Sequence, residues 1–583
     1  MLFVPFVVQV VFVLLAASCP TSVAAQTNQQ ILQGGGQLPP RDARPATPTA
    51  TGTAAIRGRV FAADSGRPLR RARIQINGPG LPGNGQATST DADGRYEIRD
   101  LVGGRYNISV SRSGYLRLSY GQRRPFELGK PFDLANGQRA DNVDFTLPRM
   151  SLITGRILDE ANEPISGVRV MAMRPIFFEG RRRLLPEGQP AMTDDAGQYR
   201  LLGLTPGSYF VMADMRETWT VVENGIERVM GYAQTYYPGT PGFTDARRVP
   251  VGVGQEANNT DFALIPGRGA TVSGTVYDSQ GRPAAGRQIS VGQEFRGPNQ
   301  MFAMSTIGTT VAADGTFHMM GLAPGEYKFS VRTTTDIGGV AVPEGAGMLI
   351  TVAGVDIDNV SLMTSSGWSL GGAIVTDTGA AVPAATLTRM RVVARPLSSD
   401  VLPMGPGLGP NADNGRVTED GTFTLSGMYG PTRLRINPPD GWAVASIQFN
   451  GRDVADEALE ARSGDALSGV QIIVTNKVTA IAGSITDAKG AATTDGTVLV
   501  FADDAQKWIE DSRFVRSARP DQQGKFEIKA LPAGEYLAAA FDYVEDGSWN
   551  DPEYLESIRR YGQRIRLTDA SSQTVTLKLV SPQ

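Results

Sequence analysis

The chain has 583 residues, 41% of them hydrophobic, and a formal net charge of −3 from 56 basic and 59 acidic side chains. Single hydrophobic cores stop growing near ~250 residues, so this length implies several domains. The balanced charge offers no basic stripe or tail and no nucleic-acid partner is expected, while one histidine excludes a site that needs two imidazoles.

In chain order, residues 1–25 read as an export signal: an apolar run from Leu2 to Ala17, then "TSVAAQ" with small residues placed for cleavage after Ala25. No Lys or Arg precedes the run, and the first charge is Arg41. Cys19 in "LAASC" offers a lipoprotein site, against which Ala16 stands where such sites usually carry Leu. Cleavage after Ala25 leaves no cysteine, so stability would come from packing without disulfides. Residues 26–53, rich in Pro, Gly, Thr and Gln, read as a flexible linker. No later stretch reaches the ~18 apolar residues of a membrane span, so no transmembrane segment is expected after the signal peptide. The expected location is exported: extracellular, periplasmic or cell surface.

From residue 54 onward the sequence repeats. "DGRYEIRDLVGGRYNISV", "AGQYRLLGLTPGSYFVMA", "DGTFHMMGLAPGEYKFSV" and "QGKFEIKALPAGEYLAAA" share one template behind their turn glycines Gly94, Gly197, Gly315 and Gly524. Each has an aromatic, a Leu, a Gly and a Tyr at the same offsets, ending on Tyr106, Tyr209, Tyr327 and Tyr536. A degenerate copy starting at Asp420 keeps Phe423 and Met428 but reads Gly430-Pro431 and lacks the tyrosine. Upstream of each copy stands "RGRV", "TGRI", "SGTV", "GGAI" or "AGSI", and alternating segments such as "NVDFTL" close most units.

Short alternating segments, 68 glycines, 37 prolines and almost no helical period predict an all-β chain: a tandem array of about five Ig-like antiparallel β-sandwiches. The units run 54–150, 151–268, 269–367, 368–477 (the degenerate one) and 478–583. The repeated tyrosine reads as a core residue with its hydroxyl tied to backbone. "SWNDPEYLESIRRY" predicts a short helix started by Pro552, capped by Asn550 or Asp551, with Tyr554, Ile558 and Tyr561 at packing positions.

The pattern G-x-[VI]…D-x-x-G-x-P…D-x-x-G-x-[YF]…L-x-P-G-x-Y resembles the carboxypeptidase regulatory-like domain, a transthyretin-like sandwich grouped with carbohydrate-binding-like folds. Gly315, Phe317, Leu322, Pro324, Gly325 and Tyr327 carry the match in one unit. These are turn and core positions, so the resemblance implies fold and not activity. The zinc-dependent catalytic domain that accompanies this module in metallocarboxypeptidases has no room here.

Candidate sites are few. His318 reads as a solvent-facing strand residue, because its counterparts are Glu97, Arg200, Thr424 and Glu527. "TDADGRYE" begins like a calcium loop but lacks the closing ligands, so it reads as an Asx turn. No catalytic residue, metal site or cofactor is assigned, and the chain is read as non-enzymatic. The informative segment is an aromatic insertion in the second unit, Glu217 to Val251, where Trp219, Tyr232, Tyr236 and Tyr237, with Phe243 nearby, could stack on sugar rings or anchor a protein. The competing reading buries them in a satellite cluster. The expected function is a secreted or envelope binding protein, foremost for glycans, with a polysaccharide or cell-envelope protein as partner. The alternatives are an adhesive protein-binding scaffold and an accessory module of an outer-membrane transporter or peptidase system.

Overall fold

Alternating burial along many strands, as in Arg73–Asn77 and Lys525–Lys529, shows why these segments pair into sheets with one face on a core. The structure is a computed structural model. It describes residues 52–582 apart from 83–84, 125, 298–299, 304–306, 380–381 and 404–413. The export signal 1–25, Cys19 and all but the end of the linker 26–53 lie outside the described residues.

The sheets fall in five consecutive groups with one plan. The opening strand of each group, Ala54–Ala62, Ser151–Leu158, Ala270–Tyr277, Trp368–Thr376 or Ala480–Thr486, pairs antiparallel with the strand after the Asp-Gly-type turn. On its other side it pairs parallel with the strand that closes the group. The facing sheet joins the second strand to the one that carries the repeated tyrosine, for example Arg73–Asn77 to Gly104–Arg112 and Thr497–Ala502 to Gly534–Phe541. The fold is the expected all-β tandem array, with parallel pairing at the opening strand of every unit added to its antiparallel ladders.

That parallel pairing explains the glycine of "RGRV" and its four counterparts. A Cβ on Gly58, Gly155, Gly274, Gly372 or Gly483 would lie 1.9, 2.2, 1.9, 2.5 or 2.0 Å from the carbonyl oxygen of Val143, Thr260, Val360, Val470 or Val575. Only a residue without a side chain lets the closing strand approach so closely. In the first two units the same carbonyls, of Val143 and Thr260, accept the hydroxyls of Tyr96 and Tyr199, each at 2.7 Å.

The repeated tyrosine forms a corner in every complete unit. The hydroxyls of Tyr106, Tyr327 and Tyr536 donate to the carbonyls of Val102, Ala323 and Pro532 at 2.7, 3.0 and 2.7 Å, and Tyr209 donates to that of Thr205. The ring fills the core while the hydroxyl satisfies a turn carbonyl four residues upstream. The degenerate unit solves the same problem otherwise: Trp368, 2% exposed, donates its indole N–H to Gly430 at 3.2 Å.

The fifth unit adds a second core on the outer face of its sheet. Leu499, Phe501, Trp508, Leu537 and Phe541 are covered by Leu555 and Ile558 of the helix Pro552–Ile558. Asp551 caps that helix by accepting from the Glu553 N–H, and Pro552 opens it, as the sequence indicates.

The units do not extend away from one another. Residues 50–583 form one compact unit, and the fifth sandwich returns to the first: Lys130 meets Asp495 at 3.0 Å, Arg124 meets Asp542 at 3.3 Å, and the Asp546 N–H donates to the Phe126 carbonyl at 2.7 Å. Arg182 of the second unit pairs with Glu553 of the fifth at 2.5 Å, Arg181 with Asp400 of the fourth at 2.6 Å, and Arg513 of the fifth with Asp456 of the fourth at 3.0 Å.

Candidate functional site

The insertion of the second unit folds as a hairpin, Thr218–Glu223 and Ile226–Ala233, reversed at Asn224-Gly225 with both residues at positive φ. Its second strand pairs with Ile265–Arg268, making a three-stranded sheet separate from the two sandwich sheets. Close approach to the third unit seats it: Cβ atoms added at Gly231 and Gly267 would lie 3.3 Å from Ala323 and 2.8 Å from Pro324 of the repeated Pro-Gly turn.

Strand alternation and register place Trp219, Val221, Arg228, Met230 and Tyr232 on one face. Trp219 and Tyr232 stand side by side with ring centroids 4.9 Å apart and planes inclined at 48°. Both are half-buried. Tyr232 leans on the second core and donates its hydroxyl to exposed Glu160 at 2.8 Å, so burial and that carboxylate both raise its pKa. Trp219 belongs to no buried cluster among the described residues. An indole on a tyrosine platform, with a carboxylate at the platform's edge, can stack on an apolar ring face and accept from its hydroxyls. Glu160 carried no sequence signal, because it sits in the Asp159–Glu163 turn far upstream of the insertion.

The other two proposed aromatics sit elsewhere. Tyr236 is 8% exposed, packed with Met171, Met173 and Met212, and burial raises its pKa. Tyr237 is half-buried against Phe262, centroids 6.1 Å apart. Phe243 covers Phe210 at 6.1 Å. The insertion therefore divides: its hairpin presents Trp219 with Tyr232, and its return segment packs on the sandwich.

The remaining candidates have structural roles. His318 is exposed opposite Ser273 on the neighbouring strand. Asp91 of the "DADG" turn accepts from the N–H groups of Asp93 and Arg95 at 2.9 and 2.8 Å, an Asx turn.

The glycine contact, the tyrosine corner and the Asx turn are all seated in the first sandwich. Residues 55–148 match the carboxypeptidase regulatory-like domain. The positions that define this regulatory-like domain hold turns and core, and the hairpin with Trp219 lies outside the matched residues. No curated protein matches the chain by sequence. Among solved structures, the chain is similar to the Bacillus anthracis TIE protein at 10% identity over 74% of each chain, TM-score 0.15. It is similar to BcpA, the major pilin subunit of Bacillus cereus, at 11% identity over 53% of this chain and 99% of that one, TM-score 0.14. A proposed carbohydrate-binding protein of Pseudomonas aeruginosa aligns at 15% identity over 16% of this chain and 87% of that one, TM-score 0.13. At these identities and scores the likenesses carry no argument about function or arrangement. Among the described residues no helix is long and apolar enough to cross a membrane.

Proposed function

We propose that the protein is an exported, non-catalytic binding protein of the cell envelope or its exterior, and that it recognises glycan at the hairpin of the second unit. One observation carries the reading: Trp219 and Tyr232 stand at 4.9 Å on a sheet that neither sandwich uses, beside exposed Glu160. Such an arrangement suits a sugar ring, whose apolar face stacks and whose hydroxyls donate to a carboxylate.

Retention on immobilised polysaccharides tests this. Trp219→Ala is expected to lose retention at least tenfold, while Phe243→Ala, on the packed return segment, keeps it. Retention unchanged in Trp219→Ala would remove the site.

A second reading is favoured by the hairpin's end. Val222 and Ile226 are 67% and 60% exposed, an apolar tip suited to a protein partner. Binding to no glycan, together with envelope-protein capture lost in a Val222→Ser, Ile226→Ser variant, would establish that scaffold role instead.

A further inference from the structure

A cleft of about 570 Å³ opens where the fourth and fifth sandwiches meet, walled by Arg395 and Arg435 on one side and Arg513, Arg516, Trp549 and Asn550 on the other. It adjoins a larger cavity of about 1020 Å³, reaching toward the second and third units, that shares Arg395, Arg435, Asp511 and Asn550 and sets Arg296 and Arg433 against Glu179 and Glu510.

The charge of this cleft is not balanced by its walls. Arg513 is held by Asp456 at 3.0 Å. Arg435 instead donates to the carbonyls of Asp511, Leu434 and Ala455 at 3.1, 3.0 and 2.8 Å, and its second terminal nitrogen is buried without a partner. Arg516 donates to the carbonyls of Ser512 and Val515 at 2.8 and 2.9 Å. Arg395 is exposed. Among the described residues none of Arg395, Arg435 and Arg516 forms an ion pair, and Asp511 is the one carboxylate on the wall of the smaller cleft. Burial first, and adjoining Arg433 second, pull the Arg435 guanidinium down to about 10, against the opposing pull of Asp456 and Asp511.

We propose that this cleft binds an acidic polysaccharide, with the guanidiniums of Arg395 and Arg516 taking successive carboxylates of a uronic-acid chain and Arg435 adding buried positive charge behind them. Guanidinium forks bind carboxylates in pairs of parallel hydrogen bonds, and a site between low-dielectric walls strengthens each bond. The half-buried indole of Trp549 and the amide of Asn550 add what sugar demands beyond charge: a flat face for a pyranose ring and a donor and acceptor for its hydroxyls. Two adjoining cavities with shared arginines suit a chain better than a single ion. This site is separate from the hairpin and depends on charge, which the hairpin reading does not.

Equilibrium binding of the full chain to an oligogalacturonate, a neutral maltooligosaccharide of equal length and poly-glutamate tests the proposal. The oligogalacturonate is expected to bind at least tenfold tighter than either, and to weaken as salt is raised. Arg395→Ala and Arg516→Gln should each weaken it about tenfold; Arg395 is exposed, so its removal leaves folding intact. Trp219→Ala should leave it unchanged, which separates this site from the hairpin. Equal binding of poly-glutamate would overturn the polysaccharide assignment. Binding of the oligogalacturonate that is indifferent to Arg395→Ala, or absent altogether, would overturn the site.

Discussion

Glu127 of the first sandwich and Arg519 of the fifth form an ion pair at 2.7 Å with side chains only 3% and 1% exposed. Glu127 also accepts from the N–H groups of Arg123 and Arg124 at 2.9 and 3.2 Å, and Arg519 donates to the Leu128 carbonyl at 2.8 Å. Removing one member strands the other charge in a dry interface, which costs about 3–5 kcal/mol. Arg519→Ala is therefore expected to detach the fifth sandwich from the first. Hydrogen exchange should show faster exchange at residues 123–128, and a Glu127→Leu, Arg519→Met double variant should restore much of the protection. Unchanged exchange in the single variant would show that the pair does not hold the two units together.

The glycines of the opening strands give a second outcome. Gly483→Ala would put a methyl where the Val575 carbonyl already stands, 2.0 Å away. The closing strand must shift, with a loss of about 1–3 kcal/mol as for other overpacked sites. Gly371→Ala, beside Gly372, meets nothing within 4 Å and serves as the control. Thermal unfolding should fall for the first variant and hold for the second.

The tyrosine corners make a third. Tyr536→Phe keeps the ring and removes the donor to Pro532, leaving a turn carbonyl without its partner. The expected loss is about 1 kcal/mol, read as a lower midpoint in the fifth unit's unfolding transition. Tyr561→Phe, on the outer helix side, should cost less. Equal effects would contradict the corner's role.

A pH-dependent term sits on the first sandwich. Hydrogen bonds from Arg99 and then Arg57 hold the Glu97 carboxyl down to about 2, below its ordinary 4.5. A depressed folded pKa means the stabilisation is present above the unfolded value and is lost as pH falls from 4.5 toward 2. NMR titration of Glu97 should show the low value. An Arg57→Gln, Arg99→Gln double variant should return it to the ordinary range; an unmoved titration would sink the assignment.

Much of this is legible in the sequence. Turn glycines, alternating strands and the repeated tyrosine are local signals, so the sandwich plan, the Tyr106 class of corner, the outward His318 and the Pro552 helix could all be read. Gly58 and its counterparts were visible as a repeat, yet their cause was not, since it lies in a carbonyl from the closing strand. The aromatic insertion was visible as a composition, while its division was not: Trp219 and Tyr232 share a face only once the hairpin register is known, and Tyr236 is buried by methionines of two other strands. The arginine cleft had no signal at all. Arg395, Arg435 and Arg516 are unremarkable in their own segments and gather only because the fourth and fifth units meet.

The return of the last sandwich onto the first underlies the account, and zero-length carbodiimide cross-linking tests it most directly. The chain has only eight lysines, so the product map is simple. Lys130 and Asp495 lie 3.0 Å apart, and Lys477 and Asp377, within the fourth unit, 3.1 Å apart as an internal control. Both amide links are expected in the monomer, read by mass spectrometry of its peptides. A monomer with the Lys477–Asp377 link and no Lys130–Asp495 link would contradict that return.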